Sequence, residues 1–351
     1  MIPQGWQEKT LGEVLNKVRY TSKIQSKLYK DKGKYPIISQ EDVFISGYWD
    51  DANDVYHVKH PVVIFGDHTK VVKYVNFDFV LGADGVKILD PKEDVSAKFL
   101  YYWVQYVPLR NLGYARHYKL LSQKIIYFPD KNEQERIVAK LDKAFEAIDK
   151  AKTIAETNLK NAKELFTSML DTLCHDKKVN WTQGRLDNYF VLQRGFDLPK
   201  QDRKKGQYPL VSSNGITDFI NTYKIKRPVV VTGRSGTIGS VHYVDENSWP
   251  LNTTLYVKDF KNNVPKYIFY YLKSLNLAEF SSGAGVPTLN RNYIHELIIS
   301  FPLQNEQQKI VEKLDKLQEQ TKQLEAIYIK QIKDLDELKQ SILQKAFRGE
   351  L

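Results

Sequence analysis

The 351-residue chain is poor in sulfur, with one cysteine (Cys174) and two methionines. A single thiol forms no intrachain disulfide and offers no cysteine cluster for zinc. No apolar run approaches the ~20 residues that a membrane span requires. The opening MIPQGWQEKT has no apolar segment of the signal-peptide kind. A cytoplasmic protein without membrane contact is the expectation. Catalytic signatures are missing as well. No G-x-x-x-x-G-K-[ST] loop occurs, nor an Asn-Pro-Pro-aromatic motif, and His295-Glu296 lacks a second histidine four positions on. GRSGTIG (Gly233–Gly239) lies between two strand patterns rather than ahead of a helix, so it reads as a hairpin turn and not as a dinucleotide loop. Acidic residues are in deficit, 42 Asp and Glu against 52 Lys and Arg, and the net charge of +10 attracts polyanions.

What the chain does have is repetition. Phe128–Lys143 and Phe301–Lys316 align without gaps, with 11 of 16 positions identical, at an offset of 173 residues. The same offset relates KGKYPIIS (Lys32–Ser39) to KGQYPLVS (Lys205–Ser212), and with small gaps PVVIFG at Pro61 matches PVVVTG at Pro228. A unit this long is a duplicated domain plus its appendage, not a solenoid period. Each copy begins with β-branched and aromatic runs bounded by Gly, Pro, Asn and Asp, broken by short helical patterns such as AKFLYYWVQYV. Each ends in a segment without Gly or Pro, rich in Glu, Lys, Leu, Ala and Gln, from Asn132 to about Thr172 and from Asn305 to about Phe347.

The expected fold class is α+β. Two similar domains, residues 1–130 and 176–303, alternate with two long helices, 131–175 and 304–351 including the C-terminal tail. Heptad spacing gives the helices a seam: Ile137, Leu141, Ile148, Asn158, Leu165 and Met169 on the first, and Ile310, Leu314, Leu317, Leu324, Tyr328, Gln331, Leu335, Leu338 and Ile342 on the second. Forty helical residues make a rod of about 60 Å. Small residues on the first helix (Ala144, Ala151, Ala155, Ala162) face large ones on the second, which favours pairing within one chain over self-association of two. Pseudo-two-fold symmetry makes that pair an antiparallel coiled coil separating the domains. Asn158 and Gln331, at equivalent positions, are expected to fix its register from the middle of the seam.

Two unlike domains on a stiff spacer suit a target with two different half-sites, and the positive charge favours DNA. FPxxNEQxxIVxKLDK written twice, the ending QSILQKAFRGEL, the start IPQGWQEKTLGEV and the phrases YPLVSSNG and GAGVPTLN together resemble the specificity subunit of type I restriction-modification enzymes. The resemblance spans essentially the whole chain. It implies a non-catalytic, DNA-binding subunit whose two target-recognition domains each read one half of a bipartite, asymmetric site in double-stranded DNA. It also implies docking of two modification (methyltransferase) subunits on the helices, with restriction (translocase and nuclease) subunits joining that core. No cofactor is then expected on this chain. S-adenosylmethionine belongs to the modification subunits, and ATP and Mg to the restriction subunits. Two other classes remain open on the residues alone: a two-headed protein scaffold and a stand-alone nucleic-acid enzyme.

Candidate DNA-reading residues lie in matching loops of the two copies. The first copy offers Ser39, Gln40, Asp67, His68, Thr69, Lys70, Arg116, His117 and Lys119. The second offers Ser212, Ser213, Asn214, Arg234, Ser235, Thr237, Thr288, Arg291 and Asn292. Arg suits bidentate contact with guanine, Asn and Gln suit adenine, and hydroxyls suit phosphate or a base edge. Lys204, Lys205, Lys224 and Lys226 fit phosphate contacts or plain solvent exposure. For every one of these residues the competing reading is ordinary turn chemistry.

Overall fold

Gln134 and Gln307, the glutamines of the two NEQ phrases, are both fully buried. The computed structural model that places them describes residues 4–110, 113, 115–175, 180–282 and 287–351. Part of the GAGVPTLN phrase, at 283–286, lies outside the described residues, as do the domain-edge residues 1–3 and 176–179. The chain divides into two compact units, residues 1–155 with 330–351, and residues 156–329.

In chain order the first unit contains β1 (Gln7–Thr10), β2 (Tyr35–Ile38), β3 (Gly47–Trp49), β4 (Val55–Tyr56), β5 (Val62–Gly66), β6 (Val72–Val75), β7 (Phe79–Leu81), β8 (Val86–Leu89), α1 (Ala97–Tyr106), α2 (Tyr118–Ser122) and β9 (Ile125–Phe128). The long helix α3 (Lys131–His175) follows and runs into the second unit. Strands order as β3-β2-β7-β4, β6-β5-β8 and β1-β9. The second unit continues with β10 (Thr182–Arg185), β11 (Val191–Arg194), β12 (Lys205–Ser212), β13 (Gly215–Ile220), β14 (Val229–Gly233), β15 (Val241–Val244), β16 (Trp249–Pro250), β17 (Thr254–Asp259), α4 (Pro265–Ser274), β18 (Ser281–Ser282), β19 (Thr288–Leu289), α5 (Arg291–His295) and β20 (Ile298–Phe301). The second long helix, α6 (Gln304–Phe347), returns to the first unit. Its strands order as β11-β17-β14-β15, β13-β12-β16, β10-β20 and β18-β19. The repeat is therefore repeated in register: β5 pairs β6 from Val62↔Val75, and β14 pairs β15 from Val229↔Val244.

The repeated phrase fastens each long helix to its domain. The Ser96 amide donates to Gln134 Oε1 at 2.8 Å, and Gln134 Nε2 donates to the Asp94 and Pro129 carbonyls. In the second unit the Val264 amide donates to Gln307 Oε1 at 2.8 Å, and Gln307 Nε2 donates to Asn263 Oδ1 and the Pro302 carbonyl. Ser96 and Val264 are the N-cap residues of α1 and α4, whose first amides have no partner within their own helix. Two turns further on, the aspartate of each LDK accepts from a tyrosine and a lysine of the same short helix. Asp142 meets Tyr102 and, at 3.3 Å, Lys98; Asp315 meets Tyr270 at 2.6 Å and Lys266 at 2.8 Å. Burial, reinforced by the aspartate, pushes both phenols well above their ordinary range, so they remain donors. Ile137 and Leu141 in one unit, and Ile310, Val311 and Leu314 in the other, fill the core beneath.

Within the first unit α3 and α6 run antiparallel. Arg136 Nη2 donates to the Leu351 carbonyl at 2.5 Å, Asp149 pairs with Lys339 at 3.0 Å, and Lys152 with Asp336 at 2.7 Å, so numbers that rise along one helix fall along the other. In the second unit Leu170 and Cys174 from the end of α3 share a core with Ile310 and Leu314 from the start of α6.

The expected seam needs correction. Ile137, Leu141, Ile148, Ala155, Ala162, Ile310 and Leu314 are buried, and Asn158, Leu317, Tyr328, Leu335 and Ile342 are half-buried. Leu165, Met169, Leu324, Gln331 and Leu338 are exposed. A helix of 3.6 residues per turn drifts by ~20° for each strict heptad, so the series beginning at Ile137 and Ile310 rolls out to solvent. Gln331 therefore does not pin the register from a buried position.

His295 accepts a hydrogen bond at Nε2 from the Leu192 amide at 2.9 Å, which requires the neutral ring. Burial lowers its pKa, against the pull of Asp187. His175 is lowered by burial too.

Replacing Gln134 or Gln307 by Ala strands a buried main-chain amide and should cost about 1–3 kcal/mol in urea unfolding, with an unchanged midpoint counting against the clamp. Lowering the pH gives a second check. A lowered folded pKa means full stability above about 6.5 and loss as pH falls through the folded value. Urea midpoints at pH 7.5 and 5.5 should converge in His295→Gln relative to the wild type, with His175 supplying the remaining slope. An identical pH dependence in the variant would contradict this.

Candidate nucleic-acid interface

The positive charge is not spread evenly. Residues 176–303 hold 17 Lys and Arg against 10 Asp and Glu, and residues 1–130 hold 18 against 15. The two helical segments together hold 17 against 17, so the excess belongs to the domains. An interface for a polyanion is to be sought there.

In the second unit the loop joining β14 to β15 is held from two sides. The Arg234 and Ser235 amides both donate to the Thr253 carbonyl, at 2.8 and 3.2 Å, and the Leu289 amide donates to the Arg234 carbonyl at 2.8 Å. Gly233 is obligatory here, since a Cβ would lie 1.9 Å from the Thr237 carbonyl oxygen. The loop rests on the turn after β12. The Thr237 hydroxyl donates to Asn214 Oδ1, and the Ser240 hydroxyl donates to the Ser213 carbonyl.

This rigid loop forms one wall of a groove of about 680 Å³, whose other walls include Gln193, Arg194, Asn290, Arg291 and Asn292. Arg194 is tied to Asp197 at 2.9 Å. The guanidinium groups of Arg234 and Arg291 make no hydrogen bond or ion pair among the described residues, while Arg291 lies close enough to His295 to lower its pKa. Asn290 caps α5 by accepting from the Asn292 amide at 3.0 Å. A concave, polar surface with two uncommitted guanidinium groups can accept phosphate oxygens or the O6/N7 edge of guanine.

The structure thus brings Arg234, Ser235, Thr288, Arg291 and Asn292 together around one groove, with Thr237 and Asn214 at its loop. Ser213 is buried, and Ser212 is spent on its own turn, accepting from the Asn214 amide at 3.2 Å. Gln193, Arg194 and Asn290 escaped the sequence reading. Arg194 closes a strand pattern, and its place beside Arg234 depends on β11 and β14 both flanking β17.

In the first unit the corresponding residues divide into scaffold and surface. Ser39, Asp67 and His117 are buried. Asp67 accepts from the Tyr118 amide at 2.7 Å, at the start of α2, and its carbonyl accepts from the His117 amide at 2.8 Å. The Gln40 side chain bridges the Asp84 carbonyl, to which it donates at 3.1 Å, and the His68 amide, from which it accepts at 3.2 Å. These four are committed inward. Thr69, Arg116 and Lys119 are exposed, and His68 and Lys70 are half-buried, Lys70 with φ +62°. Thr69 donates to the Gln40 carbonyl at 2.6 Å.

The one thiol is no nucleophile. Cys174 is fully buried, and burial pushes it up to about 12. Among the described residues no cluster of His, Cys, Asp or Glu could hold a metal ion, and no helix is long and apolar enough to cross a membrane.

Comparison with known proteins agrees with this layout. The type I restriction modification DNA specificity domain family matches the chain twice, at residues 3–158 and 178–334. A curated relative, the specificity subunit of the type I restriction enzyme EcoR124I/EcoR124II of Escherichia coli, is 24% identical over 336 residues, which is 84% of this chain and 81% of that protein. The specificity subunit of the type II restriction enzyme BcgI of Heyndrickxia coagulans is 24% identical over 275 residues, 71% of this chain and 73% of its own. In fold, the chain is similar over its full length, and over all of the other, to a chain from a type I restriction-modification system solved for its assembly and conformational transition (TM-score 0.78, 18% identity). The HsdS subunit of Thermoanaerobacter tengcongensis is similar in fold at TM-score 0.57 and 19% identity, covering 100% of this chain and 98% of that one. With two matches that together span most of its length, and two copies of one frame bearing different loops, this chain belongs to the type I restriction-modification DNA specificity family, whose members recognise DNA and are not themselves the catalysts.

Proposed function

We propose that the chain reads a bipartite, asymmetric site in double-stranded DNA, with residues 1–130 serving one half-site and residues 176–303 the other. The observation that carries this reading is the pairing of one frame with two sets of side chains. At the β5–β6 connection stand Asp67, His68, Thr69 and Lys70, and at the matching β14–β15 connection stand Arg234, Ser235 and Thr237. Identical readers would serve a palindrome, whereas unlike readers on one frame serve two different sequences. The excess of basic residues in both domains supplies the sequence-independent attraction that brings either face to the duplex.

The helices are proposed to dock two modification subunits, which would bring S-adenosylmethionine and methylate adenine. Restriction subunits would bring ATP and Mg to the same core. This chain would contribute no cofactor chemistry and would act in the cytoplasm, where the DNA is.

The reading is tested by co-expressing the chain with a cognate modification subunit and mapping methylated adenines. A two-part motif with an undefined gap is expected, and binding should weaken steeply as salt rises. Salt-insensitive binding would favour a protein scaffold instead. Arg234→Ala should relax base preference in one half-site only, by about 1–3 kcal/mol of discrimination. A methylation motif unchanged by that substitution would remove Arg234 from the reading surface.

A further inference from the structure

Each unit directs a nitrogen donor from the same place in its sheet into the turn after its YP strand. Lys73 stands opposite Ile64 across β5 and β6, and His242 stands opposite Val231 across β14 and β15, each next to the last pair of its ladder, Phe65↔Val72 and Thr232↔Val241. Lys73 is 4% exposed, which for an ammonium group needs a reason. Its Nζ donates to the carbonyl oxygens of Val43 at 2.6 Å, Ser39 at 3.0 Å and Phe44 at 3.4 Å. It makes no ion pair among the described residues. Burial lowers its pKa, opposed by the charges of Glu41 and Asp42.

Three main-chain carbonyls of one short loop are thus what holds this cation. They fix the path of the chain between Ser39 and Phe44, while the side chains of residues 41–45 remain exposed. In the second unit His242 Nε2 lies 3.3 Å from the Ser213 carbonyl oxygen, which the Ser240 hydroxyl also engages. Gly215, at φ +96°, lets the turn close over that ring, since a Cβ there would sit 3.2 Å from His242 Cε1. Ser213 and Asn214 in turn support the loop that carries Arg234 and Thr237.

We infer that Lys73 and His242 are positioning residues for sequence recognition, each ordering from beneath the turn on which its own domain's proposed reading loop rests. These are the turn of Gln40, which holds the His68 amide and the Thr69 hydroxyl, and the turn of Ser213 and Asn214, which holds Ser240 and Thr237. The inference rests on the DNA reading proposed above. Packing alone does not call for a cation in this place, because an unbranched apolar side chain would fill the same space without desolvating a charge. What the ammonium adds is a fixed loop conformation, and a loop held in one conformation discriminates between bases better than one that adapts to several. The different donor in the second domain fits a differently shaped turn on the same frame.

The test compares methylation motifs of the full chain, assembled with its modification subunit, for the wild type, Lys73→Met, Lys73→Gln and His242→Phe. Lys73→Met should raise methylation about tenfold at sites carrying a single-base change in one half-site. His242→Phe should do the same in the other half, with the untouched half as strict as in the wild type. Lys73→Gln, which keeps one amide donor, should fall between, and it decides the matter if Lys73→Met does not assemble. Lowered melting temperatures with both half-sites unchanged would show a merely structural role and overturn the inference. Relaxation of both halves by one substitution would overturn it equally. A wild-type complex without any two-part motif would defeat the DNA reading itself, and the inference with it.

Discussion

A buried glutamine amide near the start of each long helix fastens that end of the helix to the domain before it. Gln134 and Gln307 each satisfy the cap of the short helix beside them and the carbonyl two residues before the long helix begins, so four polar groups are buried without any being stranded. The aspartates of the two LDK phrases repeat the attachment further along, through Tyr102 and Lys98 in one unit and Tyr270 and Lys266 in the other. This double attachment is why the same sixteen-residue phrase appears twice. The shared letters Phe128, Gln134, Ile137, Leu141 and Asp142 touch the domain, whereas Asn132, Lys140 and Lys143 are shared and exposed, and the letters that differ between copies, such as Glu135 and Gln308, are exposed as well.

The loops obey a different constraint. Their frame is kept by main-chain hydrogen bonds, as at Arg234 and Ser235 on the Thr253 carbonyl, so the side chains can change without unfolding the support. That separation suits a protein that must meet different sequences on one architecture. The two copies use this freedom differently: Arg234 and Arg291 line the second domain's groove uncommitted among the described residues, while the first domain turns inward Asp67, from the matching loop, and Gln40, from the turn after β2.

Much of the fold was legible. The offset of 173 residues exposes the duplication, and the stretches free of Gly and Pro correspond to α3 and α6 within a few residues. The seam was legible only near the helix starts, because a strict heptad ignores the drift that carries Leu165 and Leu338 to the surface. Candidate loops could be located, but which of their side chains face inward could not. Asp67 accepts from the Tyr118 amide, 51 residues away, and the Ser39 carbonyl accepts from Lys73, 34 residues away. Such partners leave no local pattern in a sequence. Arg194 went unnoticed for the same reason, since its position beside the groove arises from strand order rather than from its neighbours.

On the DNA reading proposed above, the lengths of the two helices would set the gap between the half-sites. Four residues inserted after Ala155 and four after Ile329, where the two units meet along the sequence, lengthen each helix by about 6 Å, nearly two base-pair steps. Methylation mapping of the assembled enzyme should then return the two original half-sites with a longer undefined gap. An unchanged gap, or a changed half-site, would contradict the account.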